Sequence, residues 1–265
     1  MFFKRNFFLT LLLLGMCYVV SAYNNTYALI VGVADYKNDF FAEDLPYTLN
    51  EVEAVYSFLR STKGGSVPAE NICLLTDSSA TKENIIIRAK ALFSKAKRND
   101  RVMFYFGGHG GDGCFSPYDF NGFYDSTLTY DDIKAIFKCA KCNTKLLFAD
   151  ACYSGGIKGE SRKNDYNVKT KGHNTTDNLN IVVMTASKGD QYSWQTSEFE
   201  MGVFTHYLLK GLGGAANRDG NKYITIQELY YYVYHKVMDY TEAFGAQQTP
   251  QIFGKFDLRL IVSNL

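Results

Sequence analysis

The chain has 265 residues and 46% hydrophobic content, which is enough for one sizeable domain or two small ones. Its 28 Lys and Arg residues nearly balance 27 Asp and Glu residues, for a formal net charge of +1. This balance argues against a nucleic-acid-binding protein and against an acidic tail.

The first 22 residues have the pattern of a cleaved export signal. Lys4 and Arg5 precede an apolar stretch over residues 7–20, and residues 20–22 are small or short enough for a signal peptidase site. The apolar stretch is too short to span a bilayer comfortably. We therefore expect export to the periplasm or the extracellular space, no stable membrane anchor, and a mature domain that begins at Tyr23.

The cysteine count leaves at least one free thiol. Export removes Cys17, whose alternative role as a lipoprotein site is weakened by Met16, where a small residue is needed. The cysteines that remain are Cys73, Cys114, Cys139, Cys142 and Cys152. Five is an odd number, so full pairing is excluded. Cys139 and Cys142 have the spacing of half a zinc site without a second half, which favours two unpaired thiols or a local disulfide.

Short apolar runs alternate with helical patterns along the rest of the chain. The predicted strands are 27–33, 71–75, 101–106, 144–149, 180–185 and a short edge strand at 250–253. The predicted helices are 46–59, one capped by Thr81, one opened by a capping box at Thr129 and Asp132, 199–212, and 225–240 with a capping box at Thr225 and Glu228. This alternation predicts an α/β fold with a mostly parallel sheet of about six strands and helices on both faces.

Two of the predicted strands end in residues that can carry chemistry. The third strand leads into Gly-Gly-His109-Gly-Gly, and the fourth leads into Asp150-Ala-Cys152. Reactive groups collect at the carboxyl ends of parallel strands, so neighbouring strands would bring His109 and Cys152 to one rim. A free cysteine thiol is mostly protonated at neutral pH, so it needs a group such as a nearby imidazole to take its proton. The amides of Gly110 and Cys152 are candidates for an oxyanion hole. The glycine-rich loop lacks the spacing of a phosphate-binding loop.

These two segments resemble the histidine and cysteine motifs of the caspase-like cysteine peptidases, nearest the metacaspases and bacterial caspase-like proteins. Residues 105–110 match the first motif and residues 150–155 match the second. The similarity extends to ALIVGVADY near the start, to residues 181–187 and 202–205, and to the closing QTPQ at 248–251. The resemblance implies a caspase–haemoglobinase-like three-layer sandwich. It also implies peptide-bond hydrolysis, with Cys152 as nucleophile and His109 as general acid.

The resemblance also implies which residues select the substrate. In metacaspases, the acid two residues before the cysteine and an acid in the first helix segment line the pocket for Arg or Lys, and those positions are Asp150 and Glu51 here. Two carboxylates in a partly dry pocket prefer a cationic side chain. A carboxylate at a strand end can also merely cap backbone amides. The chain departs from the family at Gly107, where a pocket serine is usual, at Glu51, where Asp is usual, and at Tyr153, where His is usual.

Within the domain 23–265, the resemblance divides the chain into a large part over 23–157, a basic loop over 158–179 and a small part over 180–265. The family often carries a processing site in such a loop. The five basic residues of this loop are candidates for self-cleavage: Lys158, Arg162, Lys163, Lys169 and Lys171. A solvated polar loop explains the same composition.

No cofactor is predicted, although two segments raise the question of calcium. Asp131 and Asp132 resemble the paired acids of calcium-dependent metacaspases, but Gly159 stands where those enzymes carry a further acid. Residues 217–228 resemble an EF-hand loop that lacks its first acid and its glycine, which favours a turn followed by a capped helix.

The sequence therefore predicts an exported cysteine endopeptidase acting on peptides or proteins after Arg or Lys. Two alternatives stay open. One is a peptidase of the legumain, clostripain or gingipain type, since these families share the histidine and cysteine signatures. The other is a non-catalytic caspase-like binding module, against which the presence of both His109 and Cys152 argues.

Overall fold

A six-stranded sheet forms the centre of the computed structural model, which describes residues 23–151 and 180–265. Its strands are β1 (Thr26–Gly32), β2 (Ile72–Thr76), β3 (Arg101–Gly107), β7 (Thr144–Asp150), β8 (Ile181–Thr185) and β12 (Gln251–Phe253). The strand order is β12-β8-β7-β3-β1-β2. Five strands run parallel and β12 pairs with β8 in the antiparallel direction, at the edge. All six correspond to strands predicted from the sequence.

Helices cover both faces of this sheet, so the predicted three-layer α/β architecture is confirmed. The helices are α1 (Thr48–Arg60), α2 (Lys82–Phe93), α3 (Tyr130–Lys138), α4 (Val203–Lys210) and α5 (Ile226–Ala243). Successive side chains along each strand point to opposite faces of the sheet and so pack into two separate hydrophobic cores. Leu29 and Val31 pack toward the core with α2 and α3, while Ala28 and Ile30 pack toward the core with α1, α4 and α5.

In residues 23–151 and 180–265 the structure has three small sheets besides the central one, and the sequence patterns did not predict them. Their strands are β4 (Gly110–Gly111), β5 (Cys114–Phe115), β6 (Leu128–Thr129), β9 (Gln195–Thr196), β10 (Met201–Gly202), β11 (Tyr223–Thr225) and β13 (Ile261–Asn264). The first three form one sheet, β9 pairs with β10, and β11 pairs with β13.

Helix starts follow the predicted capping residues. Thr81 accepts a hydrogen bond from the amide of Asn84 at the start of α2. Thr129 with Asp132 and Thr225 with Glu228 form complete capping boxes at α3 and α5.

The helix predicted over 199–212 is wrong at both ends. Gly202 is extended, with φ −64° and ψ 140°, and its amide donates to Glu51 Oε1 at 2.8 Å. This contact holds the chain in the β9–β10 hairpin, so α4 begins only at Val203. After Lys210 the chain continues in a π-helical turn over Gly211–Ala215, where Gly214 has φ +120°.

Within residues 23–151 and 180–265, no helix is both long and apolar enough to cross a membrane.

Candidate active site

The ends of β3 and β7 lie side by side, as the sequence predicted for the two motif-bearing strands. Gly107 pairs with Asp150 in the parallel register, and the amide of Gly108 donates to the carbonyl oxygen of Asp150 at 3.2 Å. His109 follows Gly107 by two residues, and Cys152 follows Asp150 by two residues. Cys152 itself lies outside the described residues, so its contact with His109 stays a prediction.

The described contacts of His109 fix both its backbone and its ring. Its amide donates to Tyr36 Oη at 2.7 Å, and its ring centroid lies 5.1 Å from that of Tyr36. Its Nε2 lies 2.7 Å from the carbonyl oxygen of Glu43. A carbonyl oxygen can only accept, so Nε2 carries the ring proton in the neutral imidazole and Nδ1 keeps its lone pair. Nδ1 is therefore the nitrogen able to accept a thiol proton.

The loop before His109 requires a glycine. Gly108 has φ +152°, and a Cβ at this position would lie 2.9 Å from Tyr36 Oη. A side chain there would displace the hydroxyl that holds the His109 amide. Gly110, the candidate oxyanion donor, lies on β4 directly after His109 and pairs with Phe115. The oxyanion roles of Gly110 and Cys152 stay predictions.

The structure brings the two predicted pocket carboxylates together. Glu51 lies in the first turn of α1 and is 1% exposed, while Asp150 ends β7 and is 6% exposed. Gly202 separates them: a Cβ added to it would collide with Asp150 Oδ2 and lie 3.0 Å from Glu51 Oε1. Glu51 and Asp150 therefore form one buried acidic pair against the backbone of β10, which we call the carboxylate pocket.

Neutral groups of the chain supply hydrogen bonds to both carboxylates. Glu51 Oε1 accepts from the Gly202 amide at 2.8 Å and from Gln195 Nε2 at 2.9 Å, and Tyr105 Oη lies 3.1 Å from Oε2.

Asp150 is held in a similar way. Its Oδ2 accepts from the amide of Thr205 at 3.0 Å and from the hydroxyl of Thr205 at 2.6 Å, and its Oδ1 accepts from the Ser193 hydroxyl. Among the described residues, no Lys or Arg forms an ion pair with either carboxylate.

Burial makes the charged forms of these groups costly. Burial raises the pKa of Glu51 well above its ordinary value, and the nearby charge of Asp150 raises it further. Burial also raises the pKa of Asp150, against the lowering effect of the Ser193 and Thr205 hydrogen bonds. The pKa of Tyr105 is raised well above its ordinary value by burial and by the adjacent Glu51 and Asp150.

A sequence profile of the family described as the caspase domain matches residues 25–259. The chain belongs to the caspase domain family. The match supports the caspase-like alternative over the legumain, clostripain and gingipain types considered from the sequence.

Two solved structures show the same caspase-like fold. Caspase-1 from Spodoptera frugiperda has 15% sequence identity and a TM-score of 0.64, with 92% of each chain covered. Protein GSU0716 from Geobacter sulfurreducens has 16% identity and a TM-score of 0.59, with 87% of this chain and 93% of that chain covered. No curated protein sequence matches this chain. At these identities the structural likeness establishes the fold alone.

Gly107 and Glu51, two of the positions at which the chain departs from the caspase-like motifs, lie next to each other. A Cβ at Gly107, where a pocket serine is usual, would lie 2.9 Å from Glu51 Oε2 and 3.2 Å from Thr48 Cγ2. Glu51 is one methylene longer than the usual Asp and reaches into the space that a side chain at position 107 would need. The absence of a side chain at Gly107 therefore accommodates the longer acid.

Several functional candidates were missed by sequence reasoning. Glu43 acts through its main-chain carbonyl, which every residue type offers, so no sequence signal exists for it. Tyr105 sits inside an apolar strand and fits a core aromatic. Gln195 and Thr205 approach Glu51 and Asp150 from segments far along the chain. For these residues, only the tertiary structure reveals the role.

The two segments considered for calcium use their acids locally. Asp132 closes the α3 capping box and lies 3.5 Å from Lys82 Nζ, while Asp131 lies 3.5 Å from Lys134 Nζ. Glu228 closes the α5 capping box and accepts from the Arg218 amide at 3.2 Å. In the part of the chain that the structure describes, no group of three or more His, Cys, Asp or Glu residues is arranged to hold a metal ion.

The described cysteines are free thiols. Cys139 and Cys142 are not joined, and neither are Cys73 and Cys114. Burial raises the pKa of Cys142 and that of Cys73, so these thiols are held in the unreactive form. The sequence left two unpaired thiols or a local disulfide open for Cys139 and Cys142, and in the structure the two thiols are unpaired.

Proposed function

We propose that this caspase domain is an exported cysteine endopeptidase that hydrolyses peptide bonds after Arg or Lys. The observation that carries the proposal is the fixed imidazole of His109, with Nε2 bound to the Glu43 carbonyl, at the end of a strand that neighbours the strand leading to Cys152. A histidine held in this way is oriented for proton transfer through Nδ1, whereas a histidine with no catalytic role does not require a fixed ring orientation.

The proposed reaction uses these groups in two stages. The Cys152 thiol gives its proton to His109 Nδ1, and the thiolate attacks the carbonyl carbon of the substrate. The amides of Gly110 and Cys152 stabilise the resulting oxyanion. His109 then protonates the leaving amine as the carbon–nitrogen bond breaks. Water hydrolyses the thioester and restores the thiol.

The carboxylate pocket supports the proposed preference for basic side chains. Glu51 and Asp150 lie together, and their described partners are neutral. A buried charge is stabilised by an opposite charge, which the guanidinium of Arg or the ammonium of Lys would supply. An acidic substrate side chain would add a like charge and be rejected.

Export and self-cleavage complete the proposal. Export is supported by the basic, apolar and small-residue pattern of residues 1–22, and self-cleavage by the basic residues of the loop at 158–171. Both segments lie outside the described residues. No cofactor is part of the proposal, and a calcium requirement stays open to the assay below.

The test is a cleavage assay with fluorogenic peptides that end in Arg, Lys, Asp or Asn, with and without calcium. We expect cleavage after Arg and Lys, and a loss of about 10⁴-fold or more in Cys152→Ala and in His109→Ala, since the two residues act as one unit. Circular dichroism of each variant checks that it is folded. Absence of cleavage by folded wild-type protein would favour the binding-module alternative.

A further inference from the structure

A chain of hydrogen bonds connects the two acids of the carboxylate pocket. Glu51 Oε2 lies 3.1 Å from Tyr105 Oη, and Tyr105 Oη lies 2.6 Å from Thr205 Oγ1. Thr205 Oγ1 in turn lies 2.6 Å from Asp150 Oδ2. Four oxygen atoms from α1, β3, α4 and β7 thus make three consecutive contacts, and all four residues are buried.

The number of hydrogens in this chain decides the charge of the pocket. Three hydrogen bonds need three hydrogens, and the hydroxyls of Tyr105 and Thr205 supply one each. If both acids were ionised, one of the three contacts would bring two lone pairs together with no hydrogen between them. A buried contact of that kind is unfavourable. The third hydrogen therefore belongs to a protonated acid.

The local contacts assign that hydrogen to Glu51. Its Oε1 accepts from two N–H groups, those of Gly202 and Gln195, and behaves as the carbonyl oxygen of a neutral acid. Its Oε2 then donates to Tyr105, Tyr105 donates to Thr205, and Thr205 donates to Asp150. Asp150 also accepts from the Thr205 amide and from Ser193, which suits the ionised member.

We propose that Glu51 and Asp150 share one proton through the hydroxyls of Tyr105 and Thr205, so that the pocket holds a single negative charge. Tyr105 and Thr205 thereby become positioning residues for specificity. The part of the inference that concerns substrate rests on the proposed function: one negative charge matches one Arg or Lys side chain, and the occupied pocket is then neutral. The shared proton itself is independent of any catalytic activity.

Few ionisable groups act on this proton. Those that face Glu51 in the described part of the chain are Asp150, from β7, and Tyr105, from β3. The partners from β9, β10 and α4 are neutral: the Gln195 side chain, the Gly202 amide and Thr205.

The test is an infrared difference spectrum of the full, substrate-free chain at neutral pH, wild type minus Glu51→Gln. Gln has the shape and the hydrogen-bonding pattern of a protonated Glu, so the variant is expected to fold. We expect the difference to contain the carbonyl band of a carboxylic acid. The control is Glu228→Gln, whose difference should contain carboxylate bands, because hydrogen bonds lower the pKa of Glu228 despite its partial burial. Carboxylate bands alone for Glu51 would overturn the shared proton.

A second pair of variants tests the chain of hydroxyls. Tyr105→Phe removes the acceptor of the Glu51 hydrogen, so the acid band should shift toward the frequency of a free acid. Thr205→Ser keeps a hydroxyl and should leave the band in place. An acid band unmoved in Tyr105→Phe would overturn the link through Tyr105. Since neither spectrum requires peptide cleavage, failure of this inference is distinguishable from failure of the proposed peptidase activity.

Discussion

The His109 loop and the carboxylate pocket both lie at the carboxyl edge of the sheet, but they differ in burial and in hydrogen bonding. His109 is half-buried and is oriented by a hydroxyl and a main-chain carbonyl, which leave one ring nitrogen available. Glu51 and Asp150 are buried, and each of their oxygens has at least one partner from the chain. The proposed reactive group therefore keeps access to solvent and substrate, whereas the two acids proposed to select the substrate are shielded from water, which strengthens the electrostatic effect of their charge.

Within the carboxylate pocket, the largest effect we expect separates its two acids. Asp150→Asn removes the negative charge and presents an amide where three donors need acceptors. We therefore expect a loss of about 100-fold in kcat/KM for Arg peptides, comparable to truncating one member of a buried charge pair. Glu51→Gln mimics the neutral acid and should lose less. Steady-state kinetics of both variants checks this, and equal losses would contradict the assignment of the charge to Asp150.

A smaller effect is expected at the His109 loop. Tyr36→Phe keeps the ring contact with His109 but removes the hydroxyl oxygen that accepts a hydrogen bond from the backbone amide of His109 at 2.7 Å. The N–H of His109 is only partly buried, so leaving it without a partner costs about 1 kcal/mol, the low end for an unsatisfied group, and we expect kcat to fall by up to roughly tenfold as His109 loses its fixed position. KM should stay unchanged, because the carboxylate pocket is untouched.

The matched control for Tyr36→Phe is Tyr230→Phe. It removes a tyrosine hydroxyl that donates to the Pro250 carbonyl oxygen at 3.3 Å. This variant should keep the wild-type kcat. If Tyr36→Phe raised KM instead of lowering kcat, the assignment of catalysis to the His109 loop and of substrate binding to the carboxylate pocket would be wrong.

The subtlest effect is the pH dependence of stability through Glu51. The unfolded chain ionises this group near its ordinary pKa of 4.5, while the folded chain keeps the proton to a higher pH. The folded state then binds one more proton, so the stability that Glu51 contributes is complete below 4.5 and is lost as pH rises to the raised pKa of the folded state. The slope is about 1.4 kcal/mol per pH unit in that window.

Urea unfolding of wild type and Glu51→Gln at increasing pH measures this slope. The free energy of unfolding of the wild type should decline relative to that of Glu51→Gln from about pH 5 upward, because Gln does not titrate. Curves that stay parallel would show that Glu51 is ionised in the folded protein.

The sequence predicted the central sheet because its strands are continuous apolar runs and its helices carry clear caps. It failed for the two-residue strands such as β9 and β10, which are too short for any periodic signal and depend on distant contacts. The Gly202 amide illustrates this, because its hydrogen bond to Glu51 Oε1 joins residues 151 positions apart. This distant contact keeps Gly202 out of the helix that local propensity favoured.

At the site, the motifs led to His109, Asp150 and Glu51, and the structure brings the last two together. The same motifs name Cys152 and Gly110, whose roles stay predictions. The partners could not be predicted for physical reasons. A main-chain carbonyl such as that of Glu43 leaves no trace in residue type, and a tyrosine inside an apolar strand looks like core until Thr205 of α4 is packed against it.

The close approach of Gly107 to Glu51 limits how this pocket can be re-engineered. The missing side chain at one position and the extra methylene at the other occupy complementary volumes. A library that varies either site alone would mostly sample steric conflict or a void. Redesign of the proposed substrate preference therefore has to vary positions 51 and 107 together.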